Sequence, residues 1–217
     1  MLIKLIAISF TLTIIVFNVL ANSEIKVLTK QIALADTEAK RGQLKYQLAN
    51  KYIAVNTDSA LYYGKEVIKI ADRLKDRKLR AKSLYLQGYI HEQLRNIEQA
   101  IFYYSNARLD YQYLKDYDLE ERLLKNLVNL AHENNAFEIS EHYSKERIKL
   151  IPKLNNYLRS ADIYYDIGLV YQQNDQLEKA ILQFIHAKLE LDKHIDPKDS
   201  VFYAEILLEL GIVSTLS

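Results

Sequence analysis

The chain has 217 residues, of which 26% are charged and 49% apolar, and this composition excludes disordered and fibrous proteins. A formal net charge of +1 gives no strong electrostatic attraction to nucleic acid. The absence of cysteine excludes disulfide bonds, thiolate metal sites and a lipid anchor on an N-terminal cysteine.

Residues 1–21 have the pattern of an export signal. Lys4 is the basic residue before an apolar run from Leu5 to Phe17, and small residues before Asn22 suit a cleavage site. Because about 17 apolar residues can just span a bilayer, an uncleaved N-terminal anchor is the alternative. We therefore expect an exported protein, periplasmic or secreted, which is membrane-anchored if the segment is retained.

Residues 24–36 are predicted to form a short capping helix. Its apolar residues, which recur on one helical face, are Ile25, Leu28, Ile32 and Ala35. A terminal helix of this kind shields the first apolar face of a helical array from water.

The rest of the chain, residues 37–217, is predicted to be an array of helix pairs. Tyr63, Tyr103 and Tyr143 recur at a spacing of 40 residues, and polar breaks separate the helical patterns. A regular period in a chain with five glycines and two prolines indicates a helical repeat. The predicted units are residues 37–76, 77–116, 117–156, 157–196 and 197–217, and the last contains only the first helix of a pair.

Small residues mark the points where the two helices of a pair are predicted to cross. A side chain larger than alanine would push the helix axes beyond their usual separation of about 8–10 Å. Bulky aromatic residues beside the small ones fill the remaining space. The positions with this predicted structural role are Ala49, Ala60, Gly88, Ala100, Tyr104, Ala107, Gly168, Tyr171, Ala180, Phe184 and Ala187.

These positions resemble the tetratricopeptide repeat pattern, in which Leu-Gly, Tyr, Ala, an aromatic residue and Ala stand at fixed offsets. The fourth unit matches best, whereas the third is degenerate, with Val128, Ser140 and Arg147 at small-residue positions. The resemblance, to an exported bacterial type, implies an all-α fold: a right-handed superhelix of αα-hairpins preceded by the N-terminal signal helix. The family's usual repeat has about 34 residues, so this longer period implies helices about one turn longer.

In tetratricopeptide arrays the first helix of each pair lines a concave groove that binds a protein or peptide segment. By the family's offsets, the groove residues here would be Tyr46, Asn50, Lys82, Tyr85, Tyr89, Glu92, Arg122, Lys125, Asn129, His132, Asp162, Tyr165, Leu169 and Gln172. Tyrosine suits such recognition because it offers a large, stiff contact area and a hydroxyl at low entropic cost. The alternative is that Tyr85, Tyr89 and Tyr165 only pack between neighbouring units.

A polar cluster on one predicted helix comprises Arg122, Lys125, Asn126 and Asn129. Cationic and amide donors in a groove could hold a carboxylate, as in family members that clamp peptide C-termini. This chain departs from that clamp, because the first unit has no matching lysine and the fourth carries Asp162 and Tyr165. We therefore favour a solvated basic stripe paired with Glu120 and Glu121.

The sequence shows no catalytic or cofactor motif. His132-Glu133 begins like a zinc-protease helix, but residue 136 is alanine where the second histidine would stand. We interpret His186 and His194, about two turns apart on one predicted helix, as ordinary surface or packing histidines. The prediction is a protein that is not an enzyme and binds no cofactor, metal ion or nucleic acid.

Two functions remain open on the sequence alone. The first is an exported scaffold that binds a protein or peptide in its groove. The second is the periplasmic input region of a longer bacterial signalling protein, such as a histidine kinase or transcriptional regulator. The apolar residues Leu207, Leu208 and Leu210 of the last helix favour the second, since they lack a partner helix, although a C-terminal cap is the alternative. Membrane contact is expected only through the N-terminal segment or a segment beyond residue 217.

Overall fold

The computed structural model describes residues 23–193 and 200–216, and within those ranges all regular secondary structure is α-helical. The predicted export signal and His194 lie outside the described residues. The helices are α1 (residues 23–33), α2 (Glu38–Tyr52), α3 (Thr57–Leu74), α4 (Arg77–Gln93), α5 (Ile97–Leu114), α6 (Tyr117–Glu133), α7 (Phe137–Leu154), α8 (Tyr157–Gln173), α9 (Leu177–Asp192) and α10 (Ser200–Leu216). None of these helices combines the length and the apolar composition needed to cross a lipid bilayer.

The described residues divide into two compact units, the first ending at Leu114 and the second beginning at Lys115. In the first unit, α2 packs on α3, α3 on α4, and α4 on α5. In the second unit, α6 packs on α7, α7 on α8, α8 on α9, and α9 on α10. Because the connections are short, helices adjacent in sequence are antiparallel neighbours within each unit. The boundary falls between the second and third helix pairs.

The sequence around the helix starts explains where they begin. Asn56, Asp76 and Asn156 are N-caps, and the side chain of each accepts a hydrogen bond from the backbone amide three residues further on. These short polar side chains satisfy amides that have no partner inside the helix. The predicted polar break at residues 56–58 is therefore a capped connection, whereas the breaks at 134–135 and 174–175 precede helices whose N-cap residues, Ala136 and Gln176, provide no side-chain cap.

The turn within a helix pair ends the first helix in the same way in three of the pairs. At the end of α4, the amide of Asn96 donates to the carbonyl of His91, and that of Arg95 donates to Glu92. Equivalent pairs of bonds end α6 and α8. This Schellman motif needs a residue in the left-handed conformation after the helix. The non-glycine residues with positive φ are Lys75, Arg95, Lys115, Asn135, Asn155 and Asp175, two series with a spacing of 40 residues.

Glycines in α4 and α8 make room for aromatic rings of the paired helices. A Cβ atom at Gly88 would lie 2.5 Å from Cδ1 of Tyr104, and one at Gly168 would lie 2.5 Å from Cε1 of Phe184. Both rings are fully buried. The other predicted structural positions are also buried: Ala49, Ala60, Ala100, Ala107, Tyr171, Ala180 and Ala187.

The first helix pair fills the equivalent space differently. Its second helix has Gly64 at the position of Tyr104, and the amide group of Gln87 from α4 occupies the space beside that glycine. Nε2 of Gln87 donates to the carbonyl of Leu61 at 3.1 Å. Gln87, which replaces the leucine of the repeat pattern, therefore contributes a buried polar contact between α3 and α4.

Candidate binding surfaces

The predicted groove residues of the first unit lie on α2 and α4. Tyr46, Asn50, Lys82 and Tyr85 are half-buried, and Tyr89 is 36% exposed. We call these five residues the tyrosine surface. The structure brings them together because α2 and α4 are in contact as the first helices of consecutive pairs.

Two of the three rings of the tyrosine surface, Tyr46 and Tyr85, pack against residues of the core. Tyr46 packs against the buried cluster that contains Leu86 and Ile90. The ring of Tyr85 lies 5.5 Å from that of Tyr104, whose hydroxyl donates to Glu92 at 2.5 Å. Tyr46 and Tyr85 thus pack inside the unit, yet both residues stay partly accessible. Such side chains lose little conformational entropy when a ligand binds.

The polar members of the tyrosine surface differ in how they are held. Nδ2 of Asn50 donates to the carbonyl of Tyr46 at 2.9 Å, which fixes the amide along its own helix. Lys82 has no ion-pair partner in the part of the chain that the structure describes. Its ammonium group is therefore available to an acidic group of a ligand.

The predicted groove residues of the second unit lie on α6 and α8 and are more fully engaged with the protein itself. Gln172 donates to Glu209 of α10 at 3.0 Å. The ring of Tyr165 lies 5.7 Å from Phe184 and 5.3 Å from Phe202. Of this group only Arg122 and Asn129 are exposed.

The prediction that Glu120 and Glu121 are solvated partners of a basic stripe is wrong. Both side chains are buried. Oε1 of Glu121 accepts hydrogen bonds from Nε and Nη2 of Arg147 at 3.0 and 2.8 Å, and Oε2 accepts one from Arg159 at 2.8 Å. Arg147 is 0% exposed. The two ions stabilise each other, because burying either one without the other would cost its hydration energy with no compensating interaction.

Lys125 lies at the partly exposed edge of the same ion network and pairs with aspartates of α8. Its Nζ lies 2.7 Å from Asp166 and 3.5 Å from Asp162, and Asp166 also accepts from Nη2 of Arg147 at 3.1 Å. Burial opposes the charge of Lys125, but the hydrogen bond and the negative charge of Asp166, with that of Asp162, raise its pKa. Burial and the charge of Asp166 raise the pKa of Asp162. Two internal carboxylates thus occupy the place that a clamped ligand carboxylate would take.

The first unit also has a buried carboxylate, Asp110. It accepts hydrogen bonds from Nη1 of Arg77 at 3.1 Å and from Nε and Nη2 of Arg80 at 2.7 and 2.5 Å. The guanidinium of Arg77 also lies 3.9 Å from the centre of the Tyr113 ring. Both arginines line a cleft of about 540 Å³, but Asp110 neutralises much of their charge.

The histidines considered in the sequence have packing contacts. His132 contacts the side-chain oxygen of Gln173, and the ring of His186 stacks on Tyr164 with 5.1 Å between ring centres. Within the described ranges, no group of three acidic or histidine side chains is placed to bind a metal ion.

Comparison with known proteins identifies the fold. The sequence matches no protein-family model and no curated protein. The structure is similar to BtubC (BKLC) from P. vanneervenii, with a TM-score of 0.65 and 17% identity over 90% of this chain and 80% of that one. It is also similar to a signal transduction ATPase with numerous domains and a tetratricopeptide repeat sensor from Pyrococcus horikoshii, with a TM-score of 0.69 and 16% identity over 89% of this chain and 30% of that one.

A further match is a kinesin light chain from Podospora anserina with nearly identical tetratricopeptide-like repeats. It has a TM-score of 0.58 and 10% identity over 83% of this chain and 97% of that one. At 10–17% identity these likenesses show the fold alone. The prediction from the sequence is confirmed at that level: the chain is an all-α array of tetratricopeptide-type αα-hairpins.

Proposed function

We propose that the protein is a non-enzymatic scaffold that binds a protein or peptide segment outside the cytoplasm, through the tyrosine surface of α2 and α4. The observation that carries the proposal is the combination on one face of three accessible tyrosine rings, two of them packed against the core, and the ammonium of Lys82, which has no ion-pair partner among the described residues. Large aromatic anchors that are already ordered are the residues that dominate protein interfaces.

The chemistry of this surface favours a ligand with apolar or aromatic side chains and at least one acidic group. The rings of Tyr85 and Tyr89 offer contact area, whereas Lys82 offers a charge that no carboxylate within the described residues neutralises. In the second unit, α6 has Lys125 and Asn129 at the positions of Tyr85 and Tyr89, and Lys125 is already paired with Asp162 and Asp166. We therefore place the ligand on the first unit.

The binding experiment uses residues 22–217 as bait for a displayed library of random dodecapeptides. Selected peptides are then measured against the double variant Tyr85→Ala, Tyr89→Ala. We expect at least a tenfold loss of affinity with unchanged helicity, because hot-spot aromatic residues typically contribute about 2 kcal/mol or more. The matched control is Tyr62→Ala, which removes an exposed tyrosine from α3. Equal binding to all three proteins would place the ligand elsewhere.

The location is tested separately, by fusing residues 1–30 to an alkaline phosphatase that is active only after export from a bacterial cytoplasm. Phosphatase activity that depends on the fused segment supports an extracytoplasmic protein. An inactive fusion that is produced in normal amounts would argue for a protein that stays inside the cell.

A second candidate is the input region of a longer signalling protein. It is favoured by the Pyrococcus horikoshii protein, in which tetratricopeptide repeats are described as the sensor of a signalling ATPase and of which this chain covers 30%. Reading the gene beyond codon 217 separates the candidates, since a membrane span and an output domain there would support the sensor. A stop codon there would support the free scaffold.

A further inference from the structure

The cleft of about 540 Å³ in the first unit lies where the end of α3, the start of α4 and the end of α5 meet. The cations that line it are Lys75, Arg77, Lys78 and Arg80, and the carboxylates that line it are Asp72 and Asp76. Asp110, which contacts both arginines, adds a third carboxylate. Four positive charges therefore face three negative ones. We call this site the basic cleft.

The carboxylates of the basic cleft are all engaged with the protein itself. Asp110, at 0% exposure, is bound by two guanidinium groups. Asp72 accepts a hydrogen bond from Nη1 of Arg80 at 3.2 Å, and Asp76 accepts one from the backbone amide of Leu79 at 2.9 Å. None of the three is therefore needed by a further cation.

Two lysines of the basic cleft have no such partner. Lys75 and Lys78 are both exposed, and neither ammonium group has an ion-pair or hydrogen-bond partner among the described residues. Arg77 and Lys78 are also the first two residues of α4, where the helix dipole disfavours a cation. A bound anion would neutralise the two ammonium groups and remove this repulsion.

Arg77 is held in place with most of its donors unused. Its Nη1 donates to Asp110 at 3.1 Å, and its guanidinium lies 3.9 Å from the centre of the Tyr113 ring. Nε and Nη2 donate to no described residue. These two nitrogens form one edge of a planar fork, which matches two oxygens of a phosphate or a carboxylate. Because Asp110 already fixes the guanidinium, an anion that binds there orders little that was mobile.

The same cleft recurs in the second unit without its cations. It has a volume of about 330 Å³, and five of its lining residues stand 80 residues after members of the basic cleft. Asn155, Asn156, Tyr157, Ser160 and Glu190 take the places of Lys75, Asp76, Arg77, Arg80 and Asp110. The repeat fold therefore produces the cleft, whereas the positive charge is a property of the first unit alone and is not required by the turn.

We infer that the basic cleft is a binding site for a phosphate group, with Nε and Nη2 of Arg77 on two of its oxygens and Lys75 and Lys78 balancing its charge. A phosphate monoester carries a charge of about −1.5 to −2 at neutral pH, so it matches two lysines better than a carboxylate does. Tyr113, which is 67% exposed, offers an aromatic wall for an organic group and favours a monoester over the free anion.

This site shares no residue with the tyrosine surface, so the inference stands whether or not that surface binds peptides. The volume of the basic cleft is within the range of about 300–1,000 Å³ that is usual for small-molecule sites. A small phosphate ester is therefore the appropriate class of probe.

The probes are phenyl phosphate, inorganic phosphate and benzoate, and their binding to the full chain is measured by calorimetry at low salt in a phosphate-free buffer. The double variant Lys75→Ala, Lys78→Ala removes two exposed charges and should retain the wild-type melting temperature. Arg77→Lys keeps the charge but removes the paired donors. The matched control, Lys26→Ala with Lys30→Ala, removes the same charge from exposed positions of α1.

We expect phenyl phosphate to bind the wild type and the control alike, and to bind at least tenfold more weakly to the lysine double variant and to Arg77→Lys. Tighter binding of phenyl phosphate than of inorganic phosphate would assign the cleft to a monoester. Inorganic phosphate that binds at least as tightly would assign it to the free anion, and both results support a phosphate site. Equal binding of benzoate, no binding of any probe, or binding that survives both variants would overturn the inference.

Discussion

Arg147 and Glu121 face each other in the core of the third helix pair, with two hydrogen bonds of 3.0 and 2.8 Å between them. The same two positions in the neighbouring pairs hold buried alanines: Ala81 with Ala107 in the second pair, and Ala161 with Ala187 in the fourth. The third pair has therefore replaced two methyl groups with an ion pair. Either replacement alone would bury a charge without its counterion, so the two residues form one structural unit.

This relationship predicts strong coupling between the two residues. Arg147→Ala alone should lower the free energy of unfolding by about 3–5 kcal/mol, since it leaves Glu121 buried without its main partner. Glu121→Ala should be similarly costly. The double variant restores the alanine pair of the neighbouring repeats and should cost less than the sum of the two single changes. Urea denaturation of all four proteins gives the coupling energy, and a value near zero would contradict this reading.

The two glycine positions of the second unit should respond in opposite ways to the same change. Gly168→Ala places a Cβ atom 2.5 Å from the ring of Phe184 and should lower the free energy of unfolding by about 1–3 kcal/mol. Gly211→Ala, in open space on a helix, should raise it by about 0.5–1 kcal/mol because alanine loses less entropy in a helix. Thermal and chemical unfolding of both variants test this. Similar effects of the two changes would mean that the helix pairs are aligned incorrectly.

The left-handed turn residues offer a route to stabilisation. Arg95 adopts a φ of 59°, a conformation that strains any residue with a Cβ atom. Arg95→Gly should relieve that strain and raise the free energy of unfolding by about 0.5–1 kcal/mol. Lys69→Gly, in the exposed interior of α3, is the control and should lower it by about 1 kcal/mol. A loss of stability with Arg95→Gly would show that the arginine has a contact worth more than the strain.

His91 should make the first unit sensitive to acid. Its ring is stacked on Tyr103 with 5.3 Å between ring centres, and burial, together with the charge of Lys65, lowers its pKa. Below about pH 6.5, His91 therefore binds a proton more readily in the unfolded state than in the folded state. The stability that neutral His91 contributes is present above that pH and is lost as the pH falls toward the lower folded-state pKa.

The matched variant is His91→Tyr, which copies the tyrosine that stands at this position in the first and fourth pairs. Urea denaturation from about pH 8 to about pH 5 should show a smaller loss of stability for the variant than for the wild type. Parallel curves would mean that other groups cause the acid sensitivity.

The fold could be predicted from the sequence because its signal is periodic. Gly88, Gly168 and the tyrosines spaced by 40 residues report on the same local crossing, repeated with little change. Short polar breaks such as Asn134-Asn135 then fix the helix ends, since few residues suit a left-handed turn. Periodicity of this kind is a property of neighbouring helices, and no distant contact is needed to read it.

The candidate surfaces were less predictable, because they depend on which charges meet across helices. Glu121 appears on its own helix as half of an exposed acidic pair, and only the position of Arg147 on α7 shows that it is buried. The signal available in the sequence was the simultaneous loss of alanine at both positions. Lys125 is a similar case, since its partners Asp162 and Asp166 belong to another helix pair.

The ion pair of the third repeat also affects which helices pair with each other during folding. In a protein built from similar hairpins, a helix can pair with the wrong neighbour at little cost in shape. If α9 took the place of α7 as the hairpin partner of α6, Glu121 would meet Ala187. If α8 took the place of α6 as the hairpin partner of α7, Ala161 would meet Arg147. Each mispairing would strand a charge in the core at a cost of several kcal/mol. One acidic and one basic residue therefore make the pairing of α6 with α7 specific. The alanines at the same positions of the neighbouring pairs do not favour one partner helix over another.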